Sequence, residues 1–592
     1  MRSSSANRWI GHGLTGLAPL LVWACSSVSL VETRPVPAPL PSVSQAVPLA
    51  PPSAAPSPEW PGASAPPAPQ VEGAAVAARF PDPAFSYRTP AFEAGRAGFT
   101  SNAELRTILH GLVRDDDGRP GATSIRLLQV GSSQTGVPLE ALQFSRAPVP
   151  LAATGATAQA TRPTVLLIGQ QHGDEPAGAE ALIVIAQEMA GGALAPVLDR
   201  IDVVILARAN PDGAAAGRRL TASGIDANRD HLLLRTPEAQ AVAQLVREFD
   251  PAVVVDAHEF AAIGRYPQKF GAVQRFDALV QYAMTANLPE FVTKASEEWF
   301  RKPLLQSLKA QGLSEEWYYT TSADAADKKI SMGGVQPDTG RNVYGLHNAV
   351  SFLIETRGGG LGRAHLARRV QTQVTAIGSV LRSAAARADD LQKLRRFVAA
   401  DVAAKACHGE AIVEAAATPS EYNLRMLDPQ TGADKTVNVA WDSALELTTL
   451  KRRARPCGYW LGADQVDAAL HLRALGVQVQ RLDEPGALRG EVYTETAREL
   501  AARRDVRGSI ADGAGADSSA QALMVKVDLL PVLVDVGAGS YYIGLDQPLA
   551  NLVIAALEPD TQSSFVANGV VTELKSQARV LLRPEIKMTA MP

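Results

Sequence analysis

Apolar and polar positions alternate along the chain in blocks of two kinds from about residue 80 onward. Short, nearly continuous Val/Ile/Leu runs predict strands over Thr164–Gln171 (TVLLIGQQ), Ile201–Asn210 (IDVVILARAN), Ala252–His258 (AVVVDAH) and Ala349–Glu355 (AVSFLIE). Between them, segments with one apolar face per helical turn predict helices over Ala177–Met189 and Pro237–Glu248, with a closing helix over Arg363–Leu391. Runs that are apolar on both faces belong to strands covered on both sides. The fold expected is therefore α/β: a mixed, mostly parallel sheet flanked by helices. After about residue 400 the pattern shifts to short β-rich runs such as Ala522–Val536 and Gly-rich turns, which predict a smaller C-terminal domain, β-rich or α/β. No repeat of fixed period is visible.

Composition divides the chain further. With 592 residues, more than one folded unit is expected. Residues 35–69 hold 13 of the 40 prolines, mixed with Ala and Ser. Such a stretch buries too little apolar surface to fold and predicts an extended tether. The divisions expected are a signal peptide over 1–25, a linker over 26–80, a catalytic domain over 81–395 and an accessory domain over 396–592.

Arg2 and Arg8, the apolar run Ile10–Trp23 and the small residues after it predict an exported chain. Ala24-Cys25 fits a lipoprotein cleavage box with Cys25 as the lipid anchor; ordinary signal cleavage nearby is the alternative. The location implied is the bacterial periplasm or outer membrane, with the membrane reached only through the lipid. Export also favours a disulfide between the two remaining cysteines, Cys407 and Cys457, against two separate buried thiols. A net charge of -4 gives no footprint for nucleic acid.

The candidate chemistry follows from where polar residues interrupt the apolar runs. Four sets fall just beyond predicted strands, the edge at which open α/β sheets form sites. His172 and Glu175 stand in GQQHGDEP (169–176), an imidazole and a carboxylate spaced for one cation; by itself His-x-x-Glu is a weak signal. His258 ends an apolar strand, as a third ligand or as a satisfied core histidine. Arg218, Arg219, Asn228 and Arg229 lie in loops, able to hold a carboxylate or an oxyanion, or simply solvated. Glu355 closes FLIE, where a carboxylate is costly unless a cation or proton compensates it; pairing with Arg357 is the plain alternative.

Taken in order, HGDE (172–175), NPDG (210–213), GIDANRD (224–230), DAH (256–258) and FLIETRG (352–358) resemble the zinc carboxypeptidases, peptidase family M14, with the succinylglutamate desuccinylase and aspartoacylase branch as nearest relative. The resemblance covers about residues 85–390. It implies one zinc ion on His172, Glu175 and His258, with Asp226 orienting the first histidine. It further implies Glu355 as general acid/base, Arg219 as the carbonyl-polarising arginine with Arg218 as its competitor, and Asn228 and Arg229 as the pair that binds a terminal carboxylate. The family's capping tyrosine has no secure counterpart; Tyr344 is the candidate, and Arg341 is a further anion-binding candidate. The interval of 83 residues from Glu175 to His258 is short for digestive members, so pocket loops are expected to be trimmed.

The activity implied is hydrolysis of a C-terminal peptide bond, on a peptide or peptidoglycan-peptide substrate with a free C-terminus. Alternatives are deacylation of N-acyl amino acids and a non-catalytic envelope module on the same fold.

Overall fold

In the computed structural model, residues 68–114, 122–146, 162–510 and 521–591 are described. The expected signal peptide, the lipid-anchor site Cys25 and most of the tether lie outside these residues. The tether ends earlier than residue 80. Val76 and Phe80 are buried with Val273 and Leu427, and the Glu72 carboxylate is paired with Arg357. Two apolar side chains and a buried ion pair fix this stretch where proline-rich chain could not.

Eight strands build the main sheet: β1 (Thr123–Ser132), β2 (Pro138–Arg146), β3 (Thr164–Gly169), β4 (Asp202–Leu206), β5 (Val253–Ala261), β6 (Ala278–Tyr282), β7 (Glu315–Trp317) and β8 (Val350–Gly359). Their order is β1-β2-β4-β3-β5-β8-β6-β7. The four central strands β4, β3, β5 and β8 are mutually parallel, and antiparallel pairings flank them. The apolar runs form the centre because their residues are buried on both faces: Val253, Val254 and Val255 are all inaccessible.

Helix α1 (Pro176–Gly191) connects β3 to β4, and α2 (Pro237–Phe249) precedes β5. The first connection moves one way along the sheet and the second moves back. Right-handed crossovers therefore put the two helices on opposite faces. The order reverses between β3 and β5, and a crevice opens beyond the carboxyl ends of those strands. Helices α3 (Gly340–Leu346), α4 (Leu366–Ala386) and α5 (Ala388–Ala404) follow, with α4 packed against α1.

The C-terminal part is built on long ribbons. β9 (Glu410–Leu427) and β10 (Asp434–Ala454) pair antiparallel along most of their length. Short strands from before residue 395 extend their sheet, with Met426 opposite Gln274 and Ile330 opposite Trp441. A seven-stranded sheet comprises β11 (Gly458–Leu461), β12 (Gln480–Leu482), β13 (Gly486–Ala502), β14 (Gln521–Val536), β15 (Tyr541–Gly544), β16 (Gln577–Val580) and β17 (Met588–Ala590), ordered β14-β13-β16-β11-β15-β12-β17. A disulfide joins Cys407 to Cys457. The described residues make one compact unit, with a continuous core that runs from Leu166 and Val254 to Tyr459 and Ile554. No described helix is long and apolar enough to cross a membrane.

Candidate metal centre

The turn after β3 carries His172, and its position depends on two glycines. A Cβ on Gly173 would sit 1.9 Å from the carbonyl carbon of Gly213, so the two backbones meet with no room for a side chain. Asn210 clasps the junction: its amide donates to Gln171 O at 3.1 Å, and its oxygen accepts from Gly213 N at 2.8 Å. Asp212 accepts from the Ser133 hydroxyl at 2.7 Å. NPDG is thus a buttress for the histidine turn. Glu175 occupies the cap position of α1, where Pro176 starts the helix without needing an N–H partner. Its Oε2 accepts from Glu259 N at 3.0 Å.

Across the reversal point, β5 and β8 run in parallel register with Glu355 directly opposite His258. Strand alternation places Asp256 on the same face as His258. The three expected ligands then converge. His172 Nδ1 lies 2.8 Å from Glu175 Oε1, and His258 Nδ1 lies 2.9 Å from Glu175 Oε2 and 3.0 Å from His172 Nδ1. Candidate ligand atoms of the three all fall within 4.8 Å of one another.

The donor set fits a divalent cation. Each imidazole has its far nitrogen on a carboxylate: His172 Nε2 is 3.1 Å from Asp226 and His258 Nε2 is 2.9 Å from Asp256. Those carboxylates fix the tautomer, leaving both Nδ1 lone pairs facing one another. Two such lone pairs 3.0 Å apart repel unless a positive charge lies between them. The electrostatics agree. Burial opposes ionisation of Glu175, yet His172 and His258 hold its carboxyl well below the usual range. Burial likewise opposes charge on His258, and Asp256 and Glu175 nevertheless push its pKa well above the ordinary value.

Glu355 is buried and makes no ion pair among the described residues. Burial, followed by the charge of Glu175, pushes its pKa up to about 7. Arg357 turns elsewhere: it binds Glu72 and Gln274 O and stacks 4.1 Å from the Phe80 ring. Arg219 reaches the cluster, with nitrogens 3.2 Å from Glu175 and 2.9 Å from Asp226.

The remaining candidates divide. Asn228 is held internally: its amide lies 3.1 Å from His258 Nε2 and its oxygen accepts from Gly340 N at 2.8 Å. Arg229 is paired with Asp505 at 2.5 Å. Arg341 is buried with its Nε unpartnered; burial lowers its pKa to about 10, against the opposing charge of Glu355. Tyr344 is not a capping group. It is 2% exposed, and its hydroxyl lies 2.6 Å from His231 Nδ1, behind the metal ligands. Placement on an apolar helix face turned it inward. Tyr318 instead stands among Glu355, Arg341, Arg229 and Arg507, whose charges all act on its phenol. Sequence reasoning missed Tyr318, Asp505 and Arg507, and named Asp256 only as part of DAH, without a role. Only Asp256 carried a local signal, its spacing of two from His258 on a strand.

Two imidazoles and a carboxylate gathered at the reversal point of a parallel sheet, with a free buried carboxylate alongside, form the site of a metal-dependent hydrolase. A family likeness follows from sequence: residues 122–371 match the family described as zinc carboxypeptidase, peptidase M14. Carboxypeptidase 2 of Trichophyton equinum is 26% identical over 415 residues, spanning 69% of this chain and 74% of that one. Carboxypeptidase SOL1 of Arabidopsis thaliana is 28% identical over 194 residues, 30% of this chain and 37% of the relative. A solved metallo-carboxypeptidase from Pseudomonas aeruginosa aligns over 49% of this chain and 68% of its own, with 21% identity and a TM-score of 0.35.

Proposed function

We propose that the chain is a zinc carboxypeptidase that hydrolyses the last peptide bond of substrates with a free C-terminus, with Glu355 as general acid/base. The observation that carries this reading is the register of Glu355 opposite His258, which sets a carboxyl of raised pKa beside the three-ligand cluster.

His172, Glu175 and His258 would hold the zinc, which when bound acts as a Lewis acid and makes water a nucleophile near neutral pH. Asp226 and Asp256 orient the two imidazoles. Glu355, with a pKa near the working pH, takes the proton of the attacking water and returns it to the leaving nitrogen. Arg219 offers its guanidinium to the developing oxyanion from the Asp226 side. Arg229 and Arg341 supply positive charge for the terminal carboxylate.

The test is digestion of a peptide library by the purified protein with and without a chelator, followed by mass spectrometry. Loss of single C-terminal residues, abolished by chelation and restored by zinc, is the expected result. Cleavage of N-acyl amino acids in place of peptides, or internal cleavage, overturns the assignment.

A further inference from the structure

The carboxylate subsite receives a group from far along the chain. β13 and β14 form a long antiparallel ribbon, with Ala502 opposite Gln521 at its far end. Beyond β13 the chain makes a small hairpin in which Arg504 pairs with Ser509 and Asp505 with Gly508. This hairpin is fastened over the sheet edge. Arg503 donates to Arg229 O at 3.3 Å and lies 3.6 Å from Asp338, and Ala323 N donates to Arg507 O at 2.9 Å. Asp505 Oδ2 accepts from Arg229 Nη2 at 2.5 Å, and both side chains are only 10% exposed. The other terminal nitrogen of Arg229 donates to Asn228 O at 2.6 Å.

On the carboxypeptidase reading, on which this inference rests, Arg229 is the cation that meets a substrate's terminal carboxylate. We infer that Asp505 is a specificity-determining residue of that subsite: its carboxylate holds the place on Arg229 that the substrate carboxylate takes, so a free C-terminus binds only by displacing it. The exchange strands no charge. A substrate carboxylate replaces Asp505 on Arg229, and Asp505 turns to Arg507, already 3.4 Å away. Arg507 in turn lies 3.7 Å from Asp226. A peptide whose last carboxyl is amidated gains nothing from Arg229 and has no reason to displace Asp505. The ribbon therefore narrows the preference for free C-termini that the sheet edge alone would give.

The experiment compares one N-blocked peptide, as free acid and as C-terminal amide, on the zinc-loaded full chain. Asp505→Asn should lower KM for the acid by about tenfold or more, by removing an occupant from the competent site, and the amide, read as a competing ligand, should show no such gain in affinity. Arg229→Ala in the Asp505→Asn background should remove that gain. A rise in KM for the acid, or equal shifts for both peptides, would show that Asp505 only positions Arg229 and would overturn the proposal.

Calorimetric binding of both peptides to the Glu355→Gln chain, with and without Asp505→Asn, separates this idea from the assignment of activity. Tighter acid binding without turnover in the parent chain sustains the subsite and sinks the peptidase. Turnover with unchanged acid binding does the reverse. Asp505→Ala, matched for melting temperature, checks that the fold is intact.

Discussion

The sheet edge and the ribbon tip bring charged groups to one site from opposite directions. At the edge, His258 and Glu355 sit on neighbouring strands in fixed register, and Gly173 packs against Gly213 without a gap. Their backbone has no freedom, so the distances between ligand atoms are set by hydrogen-bonded strands and a helix cap. At the tip, Asp505 and Arg507 are held by ion pairs and single backbone contacts at the end of a two-stranded ribbon. A salt bridge in such a setting can exchange its partner when a substrate offers the same chemistry in its place. The difference teaches a division of labour: chemistry requires groups that do not move, and selection can use groups that do.

That division can be broken experimentally. The largest effect is expected at the edge. Glu355→Gln removes the proton carrier and should lower kcat by about 10²–10⁴ while metal content by elemental analysis is unchanged. Turnover like the parent's would place the chemistry elsewhere.

Loss of the disulfide tests the other region. Cys407→Ser opens a loop of 50 residues and should lower stability by up to about 4 kcal/mol in denaturant titration. Zinc affinity should hold steady if the two regions are independent in function, and a fall in it would couple them.

Between these lies Asp256→Asn. Its side chain supports His258 without touching the reacting atoms, and about 10–100-fold weaker metal binding is expected in a chelator competition.

The smallest effect concerns pH. Glu238, in the first turn of α2, accepts from Gln134 N through Oε1 at 3.2 Å, and its Oε2 is buried without a partner. Burial pushes its pKa up to about 7, so folding favours the protonated form. The stability it confers is full below pH 4.5 and is lost as pH rises through 7. Glu238→Gln should stabilise the chain by about 1–2 kcal/mol at pH 8 and by nothing at pH 4, measured as a difference in unfolding midpoint.

Legibility in sequence followed the same division. The parallel strands announced themselves as apolar runs, and polar residues at their ends marked the sheet edge, which singled out His172, Glu175, His258 and Glu355 as candidates; their roles came from the order of the motifs and the resemblance it carries. The four expected strands are shifted only at their ends, as where Ile201–Asn210 is extended only over Asp202–Leu206 because Asn210 leaves the sheet to clasp Gly213, whereas β1, β2, β6 and β7 were not expected. Tyr344 misled because distance along the chain from Glu355 says nothing about which side of α3 a ring occupies. The contact between Arg229 and Asp505 spans 276 positions and arises from how a ribbon bends over a sheet, for which no short motif exists. Nor did the expected boundary near residue 395 anticipate a sheet shared by Gln274, Ile330 and the β9–β10 pair.

The bond between Cys407 and Cys457 encloses all of β9 and β10 together with the turn that joins them. The ribbon is thereby a covalent ring, clipped at its base. A protease that cuts the turn at 428–433 leaves both strands tied to the body, and the nicked molecule migrates as one band until a reductant divides it. The hairpin can be severed at its tip and still not depart.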